Sequence, residues 1–533
     1  MSPRRTVILF AASLAVVPLL GAAPPERCVE IVETTDIHGH LLSERATGDE
    51  ERRGAPEERL GGLAWIGGYL RILRGGRNPV LLFDGGDLFQ GTLASSASRG
   101  KAVIAAYDLL GYTASAVGNH EFDLDAADPP GDRFATLRRR FAEANFTFLA
   151  ANLVEEATGQ PPAWPHFAPS MIADARGLPI GIVGIANPDT PSLTLAGNTA
   201  GLRFTDPAAA IEREAARLRQ GGARLIVLVA HVGGRCDGAG GDAGEASCEP
   251  ESFLLRLLHA LPPGTIDVAL GGHNHQIIAN WIAGIPALEA AYAGRHLGWL
   301  TACVRPHGGL DPARSTLHPM VTVVPRGRFL GAPVVRDAAV DRALAPYLAA
   351  VASRQDERLG PTLPSPITRD FHRLSPLGRL VAEAMKSYTG ADVALMNPGG
   401  LRADLPAGPL TYGALYEALP FQNRIVVLTV TGRKLLELVT ALADSGHGFP
   451  QLAGIDLRGG PGAWSGARLA GGKPLDLAAR YRLATVDFLV GGGDGLSGAM
   501  AGVPRRAIHP LSRGPLLREL VLAYLERGPP PGR

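Results

Sequence analysis

Residues 80–87 read VLLFDGGD, so four apolar residues run directly into a carboxylate, two glycines and a second carboxylate. A short apolar run of this kind, closed by glycine, predicts a buried strand. The same change from apolar to polar residues recurs at four other places, after residues 29–35, 114–117, 225–230 and 266–270. Helical periodicity at residues 63–74 and 208–219 lies between these runs. The pattern predicts a layered α/β domain from residue 29 to about residue 300, with a site at the strand ends.

A second unit follows residue 360. Residues 335–358 are rich in alanine and have apolar residues at helical spacing, which predicts a connecting helix; Pro361, Pro364 and Pro366 then indicate a linker. Ser375 as N-cap, Pro376 and Gly390 predict the bounds of the next helix. The expected division is a signal peptide over 1–23, one domain over 27–325, a linker helix over 335–360 and a second domain over 361–527. Strands are expected at 392–396, 425–430 and 482–486, and a last helix at about 515–525.

The composition of the 533 residues excludes several classes of protein. Apolar residues make up 46% and charged residues 19%, which is enough for a core and untypical of disorder. The net charge of +1 provides no general attraction for nucleic acid or an anionic membrane. We therefore expect a small-molecule substrate, no nucleic-acid partner, and a monomer or weak oligomer.

The N-terminus has the order of an export signal. Arg4 and Arg5 precede an apolar run over residues 7–20, which small residues follow at 21–23. An uncleaved anchor is the alternative, since Pro24 and Pro25 are unfavourable just after a cleavage site. With the signal interpretation, the mature chain is exported to the periplasm or cell surface and has no stable membrane insertion.

Four cysteines in an exported chain favour disulfides over a zinc site. Cys236 and Cys248 flank a loop rich in Gly and Asp, and they are the expected pair. Cys28 with Cys303 follows by elimination only.

The polar residues at the strand ends form a set of metal-ligand type. Carboxylate, imidazole and amide groups are the ligands that two divalent cations need, with one carboxylate bridging them. A single Asp-x-His or Gly-x-His has an ordinary reading as a loop or core histidine, but the ordered series is hard to produce by chance. The candidate ligands are Asp36, His38, Asp87, Asn119, His231, His273 and His275.

With this series the N-terminal unit resembles the calcineurin-like metallophosphoesterases. From residue 29 to about 525, the whole chain resembles the 5′-nucleotidases, including bacterial UDP-sugar hydrolases and cyclic-nucleotide phosphodiesterases. The resemblance implies an N-terminal four-layered α/β/β/α domain, a connecting helix and a C-terminal α/β substrate-binding domain. It also implies two divalent cations, of which Mn and Zn are candidates. Asp36, His38, Asp87 and His275 would hold the first cation. The second would be held by Asp87, Asn119, His231 and His273.

The resemblance also implies roles for other residues. His120 would stabilise charge on phosphorus or assist the leaving oxygen, and Asp123 would orient it. The ordinary reading of Asp123 is a loop carboxylate. Three C-terminal motifs match those of the family: NPGGLR at 397–402, PFQN at 420–423 and FLVGGGDG at 488–495. They give the candidate substrate residues Asn397, Gly400, Arg402, Phe421, Asn423, Phe488 and Asp494. The two phenylalanines would stack on the base and the Asp would bind the ribose, unless both rings belong to the core.

Hydrolysis of nucleoside 5′-phosphates to nucleoside and phosphate is therefore the expected activity. The alternatives within the fold are a 2′,3′-cyclic-nucleotide phosphodiesterase, a UDP-sugar hydrolase and a phosphatase of simple monoesters. A dimanganese sulfur-oxidation protein is a more distant alternative. A non-catalytic binding protein would be expected to have lost ligands, but this sequence keeps all seven together with His120 and Asp123.

Overall fold

The fold of the chain is given by a computed structural model that describes residues 27–45, 59–124, 132–195, 197–237, 243–460, 463–511 and 514–528. The expected signal peptide at 1–23 lies outside the described residues. Among those described, no helix combines the length and apolar character needed to cross a bilayer.

Two sheets form the centre of the N-terminal unit. In the first sheet the neighbouring strands, in spatial order, are Thr316–Leu317, His296–Val304, Arg27–Thr34, Val80–Asp84, Ala114–Ala116, Thr147–Leu149 and Phe167–Ala168, with Val321–Thr322 off this path. In the second sheet they are Ala243–Gly244, Ile277–Ile282, Ile285–Ala290, Val268–Leu270, Leu225–Ala230, Pro179–Ile185 and Ser170–Asp174. The core strands of each sheet run parallel, which brings their carboxyl ends to one edge.

The two sheets pack face to face and helices cover their outer faces. Ile31 and Phe83 of the first sheet meet Ile182 and Val227 of the second in one buried apolar cluster. The helices of this unit are Leu63–Arg74, Leu93–Ala97, Lys101–Leu110, Ala135–Glu143, Thr190–Leu193, Pro207–Gln220 and Phe253–Ala260. Their apolar faces form separate clusters with the two sheets. This is the expected α/β/β/α arrangement, in which buried strands require cover on both sides.

The helix Ala338–Gln355 connects the two units and lies within the connector expected at 335–360. Asp337 caps its N-terminus by accepting from two backbone N–H groups. Val340 and Leu344 are buried in the same apolar cluster as the helices Leu63–Arg74 and Lys101–Leu110. The connecting helix is therefore packed onto the N-terminal unit.

The C-terminal unit has its own sheet and core. Its strands are Gln451–Ala453, Val393–Met396, Arg480–Val486, Ile425–Thr431 and Ile508–Pro510, in spatial order. The helices are Pro376–Thr389, Tyr412–Ala418, Gly432–Asp444, Asp487–Val490, Ser497–Ala501 and Leu517–Arg527. The predicted caps of the first helix are confirmed, since Ser375 accepts from the backbone N–H of Gly378 and Gly390 has φ 60°.

The expected proline-rich linker is partly wrong. Arg358–Leu363 forms a strand that pairs with Gly408–Thr411, and Pro361 lies where the pairing register shifts. Proline has no N–H to donate, so it is accommodated in an irregular edge strand. Further short pairs join Glu44–Arg45 with Arg59–Leu60, Leu153–Glu155 with Leu202–Phe204, Arg328–Phe329 with Ala332–Pro333, and Ile455–Gly460 with Ala463–Leu469.

Both expected disulfides are present in the structure. Cys236 pairs with Cys248, and Cys28 pairs with Cys303 across the antiparallel strands Arg27–Thr34 and His296–Val304. The second bridge joins positions 275 residues apart in the chain. It therefore ties the first strand of the unit to one of its last.

Candidate metal centre and substrate cavity

The seven candidate ligands come from strand ends in both sheets. Asp36 and His38 follow the strand Arg27–Thr34, and Asp87 follows Val80–Asp84. From the second sheet, His231 directly follows Leu225–Ala230. Because the carboxyl ends of these parallel strands share an edge, residues far apart in sequence converge there. The remaining ligands are Asn119, His273 and His275, which lie in the turns after Ala114–Ala116 and Val268–Leu270.

One group of ligand atoms forms around Asp36. Its Oδ1 lies 3.4 Å from His275 Nε2 and 3.8 Å from His38 Nε2. The two imidazole nitrogens are 3.1 Å apart. Ligand atoms of these three residues all lie within 4.8 Å of one another, so a single cation can contact all three.

A second group forms around Asp87, with His231 and His273. Asp87 Oδ2 lies 3.1 Å from His231 Nε2, and Asn119 Oδ1 lies 3.2 Å from the same nitrogen. Asp87 Oδ2 also lies 3.8 Å from His38 Nε2 in the first group. This carboxylate therefore stands between the two groups, as a bridging ligand must.

Backbone strain is concentrated at this centre. Five of the seven candidates have positive φ: Asp36 (51°), His38 (47°), Asp87 (59°), His273 (78°) and His275 (57°). Residues other than glycine adopt this region at a cost of order 1–3 kcal/mol each, and they do so mainly at functional sites. The surrounding fold keeps these side chains aimed at a common point.

Hydrogen bonds to backbone carbonyls orient two of the imidazoles. His38 Nδ1 donates to the Gln90 carbonyl and His231 Nδ1 donates to the Gly85 carbonyl, each at 2.8 Å. Because Nδ1 carries the proton in both rings, Nε2 faces the centre. This is the usual arrangement of histidine as a metal ligand.

The histidines of this cluster differ in the direction in which their pKa values are shifted. Burial lowers the pKa of His273 to about 3, and burial together with Arg402 holds the pKa of His38 well below its usual range. These rings are neutral and can offer lone pairs. Burial also acts to lower the pKa of His231, but the adjoining Asp87 carboxylate raises that pKa to about 10.

The residues present fit a pair of divalent cations. Asp36 Oδ1 is buried and has no hydrogen-bond partner among the described residues, which is costly for a carboxylate oxygen unless a cation contacts it. His38 Nε2 and His275 Nε2 also lie 3.1 Å apart, and burial lowers both pKa values, so both rings are neutral and can serve as nitrogen ligands of a cation. Mixed nitrogen and oxygen donors suit Zn²⁺ or Mn²⁺.

Glu121 is a residue whose role the sequence did not indicate. Its buried carboxylate accepts hydrogen bonds from the backbone N–H groups of Gly118 (2.6 Å), Leu88 (2.7 Å) and Asp87 (3.0 Å). It thereby joins the loops that carry Asp87 and Asn119. Gly118 must be glycine, because a Cβ there would lie 2.2 Å from Asp87 Oδ1. The sequence signal was only that a carboxylate follows Asn119 and His120.

His120 lies beside the metal centre, and Asp123 supports it. His120 Nδ1 is 2.6 Å from Asp123 Oδ2, and its backbone N–H donates to Asp87 Oδ1 at 2.8 Å. Burial opposes the imidazolium form, but Asp87 and Asp123 together raise the pKa of His120 above its usual value. The imidazole lines the cavity, and its Nε2 lies 4.0 Å from Asp87 Oδ2.

Two C-terminal side chains reach the metal centre. Arg402 Nη2 donates to His38 Nε2 at 2.8 Å, and the Phe421 ring centroid lies 5.5 Å from that of His120. The Arg402 guanidinium also lies over the Phe421 ring at 6.0 Å. Groups from both units therefore meet at one point, and the Arg402 guanidinium places a positive charge directly beside the ligand cluster.

The other C-terminal candidates line the same cavity. Asp494 accepts from Asn397 Nδ2 at 2.8 Å, and its backbone N–H donates to the Ser192 carbonyl of the N-terminal unit at 3.0 Å. Phe488 is half-buried, whereas Asn423 is buried and its carbonyl accepts from the backbone N–H of Leu517 at 3.0 Å. Gly400 also lines the wall, and a Cβ there would meet the side chain of Met396 at 2.2 Å. All seven C-terminal candidates except Gly400 carry side chains at this cavity.

The cavity has a volume of about 1950 Å³ and runs between the two units. Small-molecule sites usually measure roughly 300–1,000 Å³, so this one has room for more than a mononucleotide. Arg369 and Arg373 also line it. Arg369 is near enough to Arg402 to contribute, after burial, to lowering the pKa of that guanidinium, whereas Arg373 is largely exposed and pairs with Asp370. Of these two arginines, Arg369 is thus the better placed to contact an anion bound beside Arg402.

Comparison with known proteins identifies the family. Residues 29–277 match the family model of the calcineurin-like phosphoesterases, and residues 356–501 match that of the 5′-nucleotidase C-terminal domain. The chain belongs to the calcineurin-like phosphoesterases of the 5′-nucleotidase type. As a member of this family, it is a hydrolase.

Several known proteins match this 5′-nucleotidase-type phosphoesterase over most of its length. It is 25% identical over 539 residues to Protein UshA of Escherichia coli, covering 94% of this chain and 91% of that protein. It is 27% identical over 487 residues to a 5′-nucleotidase of Vibrio cholerae, covering 85% and 83%. The crystal structure of a 5′-nucleotidase precursor from Thermus thermophilus superposes with a TM-score of 0.78 at 25% identity, covering 94% and 96%.

Proposed function

We propose that this phosphoesterase is exported, uses two divalent metal ions, and hydrolyses nucleoside 5′-phosphates to nucleoside and phosphate. The observation that carries the proposal is the convergence of Arg402 and Phe421 on His38 and His120. With its phosphate at the cluster of ligand candidates, a nucleotide would have its sugar and base facing the C-terminal wall of the cavity. We propose residues 27–325 and 361–527 as the two domains, joined by 335–360.

Asp36, His38, Asp87 and His275 are the proposed ligands of the first cation, and Asp87, Asn119, His231 and His273 those of the second. Bound there, divalent cations supply charge neutralisation and an activated water for phosphoryl transfer. The Arg402 guanidinium offers a planar fork to the non-bridging phosphoryl oxygens. Its position over the Phe421 ring keeps that fork directed to the centre.

His120 is the proposed acid–base residue. Its raised pKa favours the protonated ring, which can donate a hydrogen bond to an equatorial phosphoryl oxygen or a proton to the leaving 5′-oxygen. Asp123, hydrogen-bonded to His120 Nδ1, fixes the orientation of the ring and leaves Nε2 to face the substrate. The leaving alkoxide of a nucleoside is strongly basic, so it gains most from such a donor.

The C-terminal wall is the proposed nucleoside site. Phe421 and Phe488 offer ring faces to a base, and a stacked base contributes about 1–3 kcal/mol. Asp494, oriented by Asn397, accepts from the ribose hydroxyls. A sulfur-oxidation role has no use for these groups, which favours a nucleotide.

Export is supported by the two disulfides together with the N-terminal sequence. Disulfides form and persist in oxidising compartments. The bridges Cys28–Cys303 and Cys236–Cys248 use all four cysteines of the chain. A cleavage product beginning at or near Pro24, identified by N-terminal sequencing of secreted protein, is the expected result. Retention of residues 1–23 at a membrane would instead support an anchor.

The activity is tested by phosphate release from the purified chain, stripped of metal and reloaded with Mn²⁺ or Zn²⁺. AMP, a 2′,3′-cyclic nucleotide, a UDP-sugar and p-nitrophenyl phosphate are compared by kcat/KM. We expect no turnover without metal and a clear preference for AMP after reloading. The cavity of about 1950 Å³ makes the UDP-sugar the most important competing substrate. Equal rates on every ester would overturn the nucleotide assignment.

A further inference from the structure

The Asp123 carboxylate is held on both sides. Its Oδ2 faces His120 Nδ1 and its Oδ1 accepts from Thr194 Oγ1, both at 2.6 Å. Thr194 directly follows the short helix Thr190–Leu193, is 3% exposed and lines the substrate cavity. A carboxylate held at both oxygens has little freedom to rotate. The hydroxyl therefore fixes the plane in which Asp123 meets His120.

A second hydrogen bond sets the direction of the first. Asn198 Nδ2 donates to Thr194 Oγ1 at 3.0 Å, and Asn198 is buried as well. A hydroxyl has one proton, and a lone pair of Thr194 is engaged by the Asn198 amide. The Thr194 proton is therefore directed to Asp123. Amide, hydroxyl, carboxylate and imidazole form one chain of hydrogen bonds ending at the cavity.

The same segment also contacts the C-terminal wall of the cavity, the proposed nucleoside site, which is called the nucleoside wall below. The backbone N–H of Asp494 donates to the carbonyl of Ser192, two residues before Thr194. The loop that carries the proposed ribose ligand therefore rests on the piece of chain that supports His120. This contact anchors the segment from the opposite side of the cavity.

We propose that Thr194 is a positioning residue for the hydrolysis, holding Asp123 and through it His120 in the orientation that turnover needs. The inference rests on the proposed roles of His120 and Asp123. Thr194→Val keeps the shape of the side chain but removes a hydrogen bond to a charged group. We expect kcat for AMP to fall about tenfold with KM within about twofold, because Thr194 acts through His120 and Asp123, which together form the proposed dyad.

A double-mutant cycle tests this route. Steady-state kcat and KM for AMP are measured for the wild type, Thr194→Val, Asp123→Ala and the double variant, all loaded with metal. We expect Thr194→Val to have no further effect once Asp123 is alanine, and Thr194→Ser to recover most of the activity. Asn198→Ala, which leaves the hydroxyl present but undirected, should lower kcat by a smaller factor than Thr194→Val.

Thr136→Val is the matched control, since Thr136 is fully buried and its hydroxyl has no partner among the described residues. Its kcat should equal that of the wild type. An unchanged kcat in Thr194→Val, or an equal loss with and without Asp123, would overturn the inference while leaving the dyad intact. A wild-type kcat in Asp123→Ala would instead overturn the dyad of the proposed function, and the positioning role with it.

Discussion

The candidate metal centre and the proposed nucleoside wall face each other across one cavity, but the metal-ligand candidates and the two phenylalanine rings are held in different ways. Asp36 and His231 are 0% exposed, whereas Phe421 and Phe488 are only half-buried. The candidate metal ligands are held by strand ends, strained backbone and hydrogen bonds to carbonyls. Cations require several ligand atoms at fixed distances, whereas a planar base requires only an exposed ring face. The proposed chemistry therefore lies with deeply buried side chains, and the proposed base contacts lie with two rings that stay partly exposed to the cavity.

Removing the bridging carboxylate should have the largest effect and should not depend on the substrate. We expect Asp87→Asn to lower kcat/KM for AMP and p-nitrophenyl phosphate alike by about a thousandfold, equivalent to ~4 kcal/mol of transition-state stabilisation. Metal content, measured by elemental analysis after dialysis, should also fall. Asp174→Asn makes the same change on an exposed edge strand and should leave both rates unchanged. Wild-type hydrolysis by Asp87→Asn would place the chemistry elsewhere.

Removing a ring from the nucleoside wall should slow the hydrolysis of AMP but not that of p-nitrophenyl phosphate. We expect Phe488→Ala to lower kcat/KM for AMP by about 10- to 100-fold, since a stacked base contributes roughly 1–3 kcal/mol. Turnover of p-nitrophenyl phosphate, which has no base, should stay near the wild-type rate. Tyr388→Ala, at a side chain 45% exposed on the outer surface, is the control for loss of an aromatic ring. Equal losses on both substrates would mean that Phe488 supports the metal centre rather than a base.

The hydrogen bond from Asn397 to Asp494 should have an intermediate effect confined to the ribose. Without the amide, Asp494 is free to turn away from the sugar hydroxyls. We expect Asn397→Ala to lower kcat/KM for AMP by about tenfold, the value of a hydrogen bond to a charged group. The same substitution should leave kcat/KM for the 2′,3′-dideoxy analogue of AMP almost unchanged. An equal loss for both nucleotides would contradict the ribose role of Asp494.

The contact between Arg235 and His372 at the rim of the cavity should have the smallest effect on activity. Arg235, beside the Cys236–Cys248 bridge, reaches His372 of the C-terminal unit at 3.2 Å; the Arg235 side chain is 42% exposed and His372 is exposed. Exposed polar pairs contribute about 0–1 kcal/mol, so Arg235→Ala should change KM for AMP by less than about fivefold and leave kcat unchanged. A loss of kcat would show that the rim contact controls the metal centre after all.

Much of the fold could be predicted because its signals are local. An apolar run that ends in glycine and carboxylate predicted the strands, and Ser375 with Pro376 and Gly390 predicted the bounds of a helix to the residue. The proline-rich stretch after residue 360 was misjudged. Whether Arg358–Leu363 pairs depends on Gly408–Thr411, about 50 residues further on, and local composition carries no information about that.

For the candidate site, residue types could be predicted but not contacts. The order of carboxylates and histidines indicated a metal-ligand set, and the structure brings those residues together. Which atoms approach each other depends on the packing of two sheets. Glu121 and Thr194 were missed for that reason, since their partners are backbone N–H groups and a carboxylate 71 residues away.

The central claim, that one nucleotide spans both walls, is tested most directly by calorimetric titration of the metal-loaded protein with the non-hydrolysable 5′-phosphonate analogue of AMP. Adenosine and inorganic phosphate are titrated alongside. The account predicts that the phosphonate binds at least about 100-fold more tightly than either fragment, because linking two bound groups avoids a second association cost. Stripping the metals and the substitution Phe488→Ala should each weaken binding of the phosphonate. A phosphonate that binds no better than inorganic phosphate would contradict the account.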